Sequence, residues 1–246
     1  MNTKADHLFT KIQIDKTLLT ELEAGLLDLA SAYVESRLGM RKALTRGSDL
    51  ANLIRSGIIE KSELFDLFNM SFQLAHYQTQ VMAQIEHLIP NPIMSSYPNL
   101  RIDLAEDGYA APAHTDEWIS FSGHKKTVFW IPLFHADSLD IYPYIGEFAV
   151  VDNPYWGLEI PEQSTEQKKW ENITVEHGKC LVFNSALIHR SATEFQPDGL
   201  RVSVQLRVQS LADVKTEYQR TTTQTTTQTI KSKRSRLLAK GFYSNE

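Results

Sequence analysis

Residues 200–209 read LRVSVQLRVQ, and their alternation decides the fold class. Val202, Val204, Leu206 and Val208 fall on one side, and Arg201, Ser203, Gln205 and Arg207 fall on the other. A period of two marks a strand with one face in a core. Strands that close around a pocket show this pattern, with the polar face turned to the pocket or to water. Upstream, KCLVFNSALIH (179–189) and TVFWIPLF (127–134) are short runs rich in β-branched and aromatic residues, which reads as further strands. NLRIDL (99–104) alternates in the same manner.

Before residue 90 the periodicity becomes helical. DKTLLTELEAGLLDLASAYVESRL (15–38) gathers Leu18, Leu19, Leu22, Leu26, Leu27, Leu29 and Tyr33 toward one side. A second amphipathic run spans 62–88 and is stopped by Pro90 and Pro92. The expected organisation is one domain over 1–210, with a helical part (1–90) and a β core (97–208). A tail over 211–246 follows, Thr/Gln-rich in TTTQTTTQT (221–229) and basic in IKSKRSRLLAK (230–240). Such a tail reads as solvated chain or as an arm for a partner.

Composition narrows the class. The 246 residues, 42% apolar and 22% charged, suit one globular domain with a full core. A net charge of -5 gives no reason to expect nucleic acid or an anionic membrane as partner. No apolar run approaches the roughly 20 residues of a membrane helix. MNTKADHLFTKIQ at the N-terminus has no signal-peptide core, so a cytoplasmic protein is expected. Cys180 is the only cysteine; an internal disulfide is excluded, and GKCLVF reads as a buried strand with a small core thiol. Oligomeric state leaves no mark on the sequence.

The chemistry lies in His114-Thr115-Asp116, His189 and Arg201. On a strand, residues two apart share a face, so His114 and Asp116 can reach one ion. Two histidines and a carboxylate can hold one face of Fe(II) and leave the other positions open. A lone H-x-D is weak evidence, since it also arises as a surface histidine beside a capping aspartate. His189 strengthens it, because it ends an apolar run that would deliver it to a pocket mouth. Asp116 precedes His189 by 73 positions, and Arg201 follows it by 12. A guanidinium there can grip a carboxylate by two parallel hydrogen bonds.

These stretches together (HTDEW, TVFWIPLF, EHGKCLVFNSALIHRSATEF, GLRVSVQLRV) resemble the 2-oxoglutarate/Fe(II) dioxygenases. The branch is the phytanoyl-CoA-hydroxylase-like one, including bacterial members of sporadic carbohydrate and natural-product clusters. The resemblance covers about residues 97–208. It implies a double-stranded β-helix (a jelly-roll, cupin-like core) with helices outside. It implies His114, Asp116 and His189 as metal ligands and Arg201 as the clamp on the distal carboxylate of 2-oxoglutarate. Ser203 would complete an R-x-S pair, and Ser191 and Trp130 would line the cosubstrate pocket. Fe(II), 2-oxoglutarate and O2 would be the cofactor and cosubstrates, with succinate and CO2 as products. The substrate would be a small or carrier-bound molecule hydroxylated at an unactivated C–H. Related halogenases lack the carboxylate, so Asp116 favours hydroxylation, or a desaturation or ring closure that begins alike. HADSLDIYPYIGEF after TVFWIPLF departs from the family's Gly-rich element, which bears on the substrate wall.

Other readings stand beside this one. A cupin-like metal-dependent isomerase, or a small-molecule or carbohydrate-binding jelly-roll, would use the same fold without 2-oxoglutarate. Arg207 reads as a solvated or salt-bridged neighbour of Arg201, and Arg101 with Asp103 as pocket residues or a strand-edge ion pair. His135 ends a strand and could approach a pocket; His7, His76, His87, His124 and His177 read as structural or exposed. The aromatic, acidic stretch 137–171 reads as a long connection, a lid or a packed surface insertion. Asp116→Ala is expected to abolish activity with the fold intact.

Overall fold

A computed structural model describes residues 9–40, 42–74, 77–94, 98–107, 111–116, 126–142, 151–153, 157–159, 170–193 and 199–215. The protein is mainly antiparallel sheet with flanking helices. The helices are α1 (Lys16–Leu38), α2 (Gly47–Arg55), α3 (Lys61–Leu74) and α4 (Tyr77–Ile85). The strands are β1 (Phe9–Gln13), β2 (Pro92–Met94), β3 (Asn99–Leu104), β4 (His114–Thr115), β5 (Thr127–Leu133) and β6 (Asp137–Ile141). They continue as β7 (Val151–Asn153), β8 (Gly157–Glu159), β9 (Glu171–Val175), β10 (Lys179–Asn184), β11 (His189–Ser191) and β12 (Leu200–Ser210). Among the described residues the strands form two six-stranded sheets. The first runs β1-β10-β5-β12-β2, with β3 also on β12; the second runs β7-β8-β4-β11-β6-β9.

The faces of β12 divide as the alternation requires. Val202, Val204, Leu206 and Val208 join a core with Leu18, Leu22 and Leu26 of α1, so this face of the first sheet packs under the helices. Each such fully buried side chain contributes about 1.5–3 kcal/mol. A slip of one residue would turn four of them away from the helices, which locks the register. Opposite them, Arg201, Ser203, Gln205 and Arg207 are also buried. They do not meet water, as the odd residues of a two-layer protein would, because the second sheet covers them. A smaller apolar cluster between the sheets, with Val128, Trp130, Leu139, Ile141, Leu181 and Phe183, joins the two layers.

Helix α1 starts where Asp15 accepts hydrogen bonds from the N–H groups of Thr17 and Leu18, and ends at Gly39 in the left-handed region. Leu18, Leu19, Leu22, Leu26 and Leu27 are buried, and Leu29 and Tyr33 pack partly against the same core. Within the run 62–88 the described residues are helical over Lys61–Leu74 (α3) and Tyr77–Ile85 (α4).

Four expectations need correction. The first 90 residues are not purely helical, because FTKIQ forms β1 along β10, with Ile12 opposite Cys180. KCLVFNSALIH is not a single strand; β10 ends at Asn184, a turn follows, and β11 begins in the other sheet. Asp116 lies just past β4 and not on it, fixed there by its N–H to the Ser185 carbonyl (2.8 Å). The stretch 137–171 is not a mere connection, since it contributes β6, β7, β8 and the start of β9 to the second sheet. Apart from Tyr142 and Trp170, the rest of that stretch lies outside the described residues, as do His7, His76, His124 and the tail beyond residue 215. Cys180 is a buried core thiol, as expected, and burial pushes its ionisation up. Among the described residues, no helix is long and apolar enough to cross a membrane.

Candidate metal centre

Between the sheets lies a cavity of about 60 Å³. The first sheet lines it with Asn99, Arg101, Trp130, Arg201, Ser203, Gln205 and Arg207. The second supplies Leu139, His189 and Ser191, with His114 and Asp116 from the strand β4 and its end. All seven residues singled out from the sequence meet in this one cavity. Pairing explains part of the convergence: His189 of β11 stands opposite His114 of β4, and Gln205 of β12 opposite Trp130 of β5.

Among the described residues, His114, Asp116 and His189 form a buried group in which one ligand atom from each lies within 4.8 Å of the others. The His114 Nδ1 is 2.8 Å from the Pro112 carbonyl, and the His189 Nδ1 is 3.0 Å from that of Leu187. A carbonyl only accepts, so both Nδ1 atoms carry the proton, and each Nε2 keeps its lone pair for an ion. The His189 Nε2 is 3.9 Å from the Asp116 Oδ2. The rings of His114 and His189 are 4.3 Å apart, and Phe183 sets its edge against His189.

Electrostatics hold the set in its ligating state. Burial, and then the neighbouring His189, pull the His114 imidazole down to about 3. Burial likewise lowers His189, against the pull of Asp116. Both rings are therefore neutral at neutral pH, and the contact with Asp116 is a meeting of lone pairs and not an ion pair. Burial alone would raise Asp116, but the Arg207 guanidinium, by its charge and its hydrogen bond, outweighs it and keeps the carboxyl below its ordinary range. Neutral imidazoles, an anionic carboxylate and anchored rings suit a divalent ion.

Arg207 and Gln205 were not singled out as site residues, and both matter. Arg207 Nη2 donates to Asp116 Oδ1 (2.7 Å) and Gln205 Nε2 to Asp116 Oδ2 (2.7 Å), while Arg207 Nη2 also reaches Gln205 Oε1 (2.9 Å). Their signal was present in the sequence, because both share the polar face of β12 with Arg201. Arg207 is thus a salt-bridged residue, as one reading had it, but its partner is a candidate ligand. Arg201 donates from Nε to Asp137 Oδ1 and from Nη2 to the Ala192 carbonyl, both at 2.9 Å. Arg101 faces the cavity and also pairs with Asp103 (2.6 Å), which is absent from the cavity lining. His135 is half-buried and absent from the cavity wall.

The metal-free protein should lose stability in acid. Both histidines sit below the ordinary value, so the unfolded chain binds more protons once pH falls under 6.5. Their contribution is present above 6.5 and drains away toward about 3 for His114. Ordinary carboxylates titrate lower, and the raised Asp137 would act in the opposite sense, so a decline between pH 6.5 and about 5 belongs to the histidines. Denaturant midpoints over that range check it: they should fall, and His114→Gln should flatten part of the slope. A flat profile in the parent protein would mean that the rings are not buried neutral.

No family model matches the chain, and neither does any curated protein. Solved structures do. EvdMO1 aligns with a TM-score of 0.50 at 13% identity over 83% of this chain, which spans 47% of that one. A non-heme monooxygenase, ThoJ in its apo form, aligns at 0.47 and 15% identity over 85% of this chain and 75% of its own. The epimerase SnoN, in complex with Fe3+, alpha ketoglutarate and nogalamycin RO, aligns at 0.47 and 13% identity over 82% and 78%. At 13% identity, the likeness to EvdMO1 concerns the fold alone.

Proposed function

We propose that the protein is an Fe(II)- and 2-oxoglutarate-dependent oxygenase on a double-stranded β-helix of the phytanoyl-CoA-hydroxylase-like kind. Its reaction is hydroxylation of an unactivated C–H in a small or carrier-bound molecule of a biosynthetic pathway. One observation carries the reading: the buried His114, Asp116 and His189 group shares a cavity with Arg201. When bound, Fe(II) supplies the chemistry that couples O2 to the decarboxylation of 2-oxoglutarate, giving succinate, CO2 and an oxidised C–H.

The chain's own residues set the conditions. His114 and His189 offer Nε2 from rings that their carbonyl partners keep from turning. Asp116 stays anionic beside Arg207. Arg201 offers a fixed cation to a carboxylate, and Ser203 from the first sheet and Ser191 from the second line the same cavity. Trp130 and Leu139 make part of the wall apolar, which excludes water from a reactive site.

Charge supports an anionic ligand. Three arginines and three aspartates pair off inside the two sheets: Arg101 with Asp103, Arg201 with Asp137, Arg207 with Asp116. With neutral histidines, the described residues of the pocket add no net charge to that of an ion held there. A divalent ion there leaves the pocket positive, which favours an anionic ligand such as a dicarboxylate.

The pairing of Arg201 with Asp137 also favours the second reading, a cupin-like isomerase or binding jelly-roll, in which Arg201 only braces the sheets. Product analysis separates the two. Fe(II)-loaded protein given 2-oxoglutarate and air should release succinate even without substrate, slowly and in an iron-dependent way. No succinate above a metal-free control would leave the second reading.

A further inference from the structure

The guanidinium that should receive a ligand carboxylate already holds one. Asp137, at the start of β6, is 8% exposed, and its Oδ1 accepts both Arg201 Nε (2.9 Å) and the Ser138 N–H (2.8 Å). Its Oδ2 is buried with no hydrogen-bond partner. The other charged group acting on it is Arg101 of β3, itself paired with Asp103; β9 opposes it with apolar Val175.

A second carboxylate arriving at Arg201 would put two anions on one buried guanidinium. Like charges so close cannot both persist at low dielectric; one of them takes a proton. We propose that Asp137 takes up one proton from solvent when a dicarboxylate binds Arg201, so that the ligand stays an anion and Asp137 becomes a neutral acid. The proton goes to Oδ2, the oxygen without a partner, which turns from an unsatisfied acceptor into a donor. Oδ1 keeps its bond to Arg201 and goes on orienting it. Burial already pushes the Asp137 carboxyl above its ordinary range, against the pull of Arg201 and then of the Ser138 N–H. Binding raises it further, so affinity is high in acid and falls as pH rises through the value of the free protein. This rests on Arg201 being the carboxylate clamp.

The test is anaerobic titration of 2-oxoglutarate into the Fe(II)-loaded protein, followed by heat and by the visible charge-transfer band. Runs in buffers of different ionisation enthalpy give the protons exchanged. The ligand is a dianion near neutrality, and the histidines are already neutral, so neither supplies the signal. The expected result is uptake of up to one proton, with affinity falling by as much as about tenfold per pH unit across the window. Asp137→Asn mimics the neutral acid: it should bind at least as tightly as the parent at high pH, with no proton uptake and a flat profile. A band without proton uptake in the parent overturns the proposal alone. So does an Asp137→Asn protein that binds several-fold more weakly and keeps the slope, which would make Asp137 a brace for Arg201. Neither heat nor band in the parent overturns the clamp reading, and the proposal with it.

Discussion

Asp116→Ala is expected to lose metal binding and turnover altogether, and to unfold more easily as well. The first loss follows from its place as the only carboxylate in the ligand group among the described residues. The second corrects the expectation of an intact fold. Asp116 is 1% exposed and neutralises Arg207, which is 5% exposed. Removing it strands a guanidinium between two sheets, at a cost of about 3–5 kcal/mol. Asp116→Asn separates the effects: an amide oxygen can still accept from Arg207, so the fold should suffer less while iron affinity collapses. Iron content and a denaturant midpoint, read on both variants, check the pair. An alanine variant with normal iron and full turnover would remove Asp116 from the metal site.

Arg201→Ala should chiefly weaken 2-oxoglutarate binding. Removing one side of a buried charge-assisted pair costs about 2–5 kcal/mol, tens to thousands of fold in affinity. Arg201→Lys should recover only part, because a point charge replaces a planar fork. The stability cost should be smaller than for Asp116→Ala. Asp137, left alone, can escape by taking a proton, to which its burial already inclines it, whereas a stranded Arg207 has no such exit. Apparent 2-oxoglutarate affinity in steady-state assays provides the check. An unchanged value would move the clamp to Arg101 or Arg207, which line the same cavity.

The polar face of β12 and the histidines were legible because their signals are local. Alternation over ten residues fixes which side chains turn together, whatever covers them. The candidate ligands, too, could be named before their geometry was known, from residue type and order alone. What escaped was long-range. Asp137 joins Arg201 across 64 positions, from a strand whose inward residues are Asp137, Leu139 and Ile141. A charged residue at an inward position hides such a strand from any apolar pattern, and it was read as part of a connection. The turn between β10 and β11 escaped for the opposite reason: NSAL has no Gly or Pro, so two strands in different sheets looked like one. FTKIQ is too polar to announce β1, which draws its bonds from one neighbour, β10.

If one cavity holds iron and 2-oxoglutarate together, visible spectroscopy should show it. Fe(II) added to the metal-free protein without oxygen should give no visible colour. Addition of 2-oxoglutarate should then produce a charge-transfer band that saturates at one equivalent, fails to form in His189→Ala, and needs far more ligand in Arg201→Ala. Iron that binds at His114, Asp116 and His189 while 2-oxoglutarate leaves its spectrum unchanged would contradict the account.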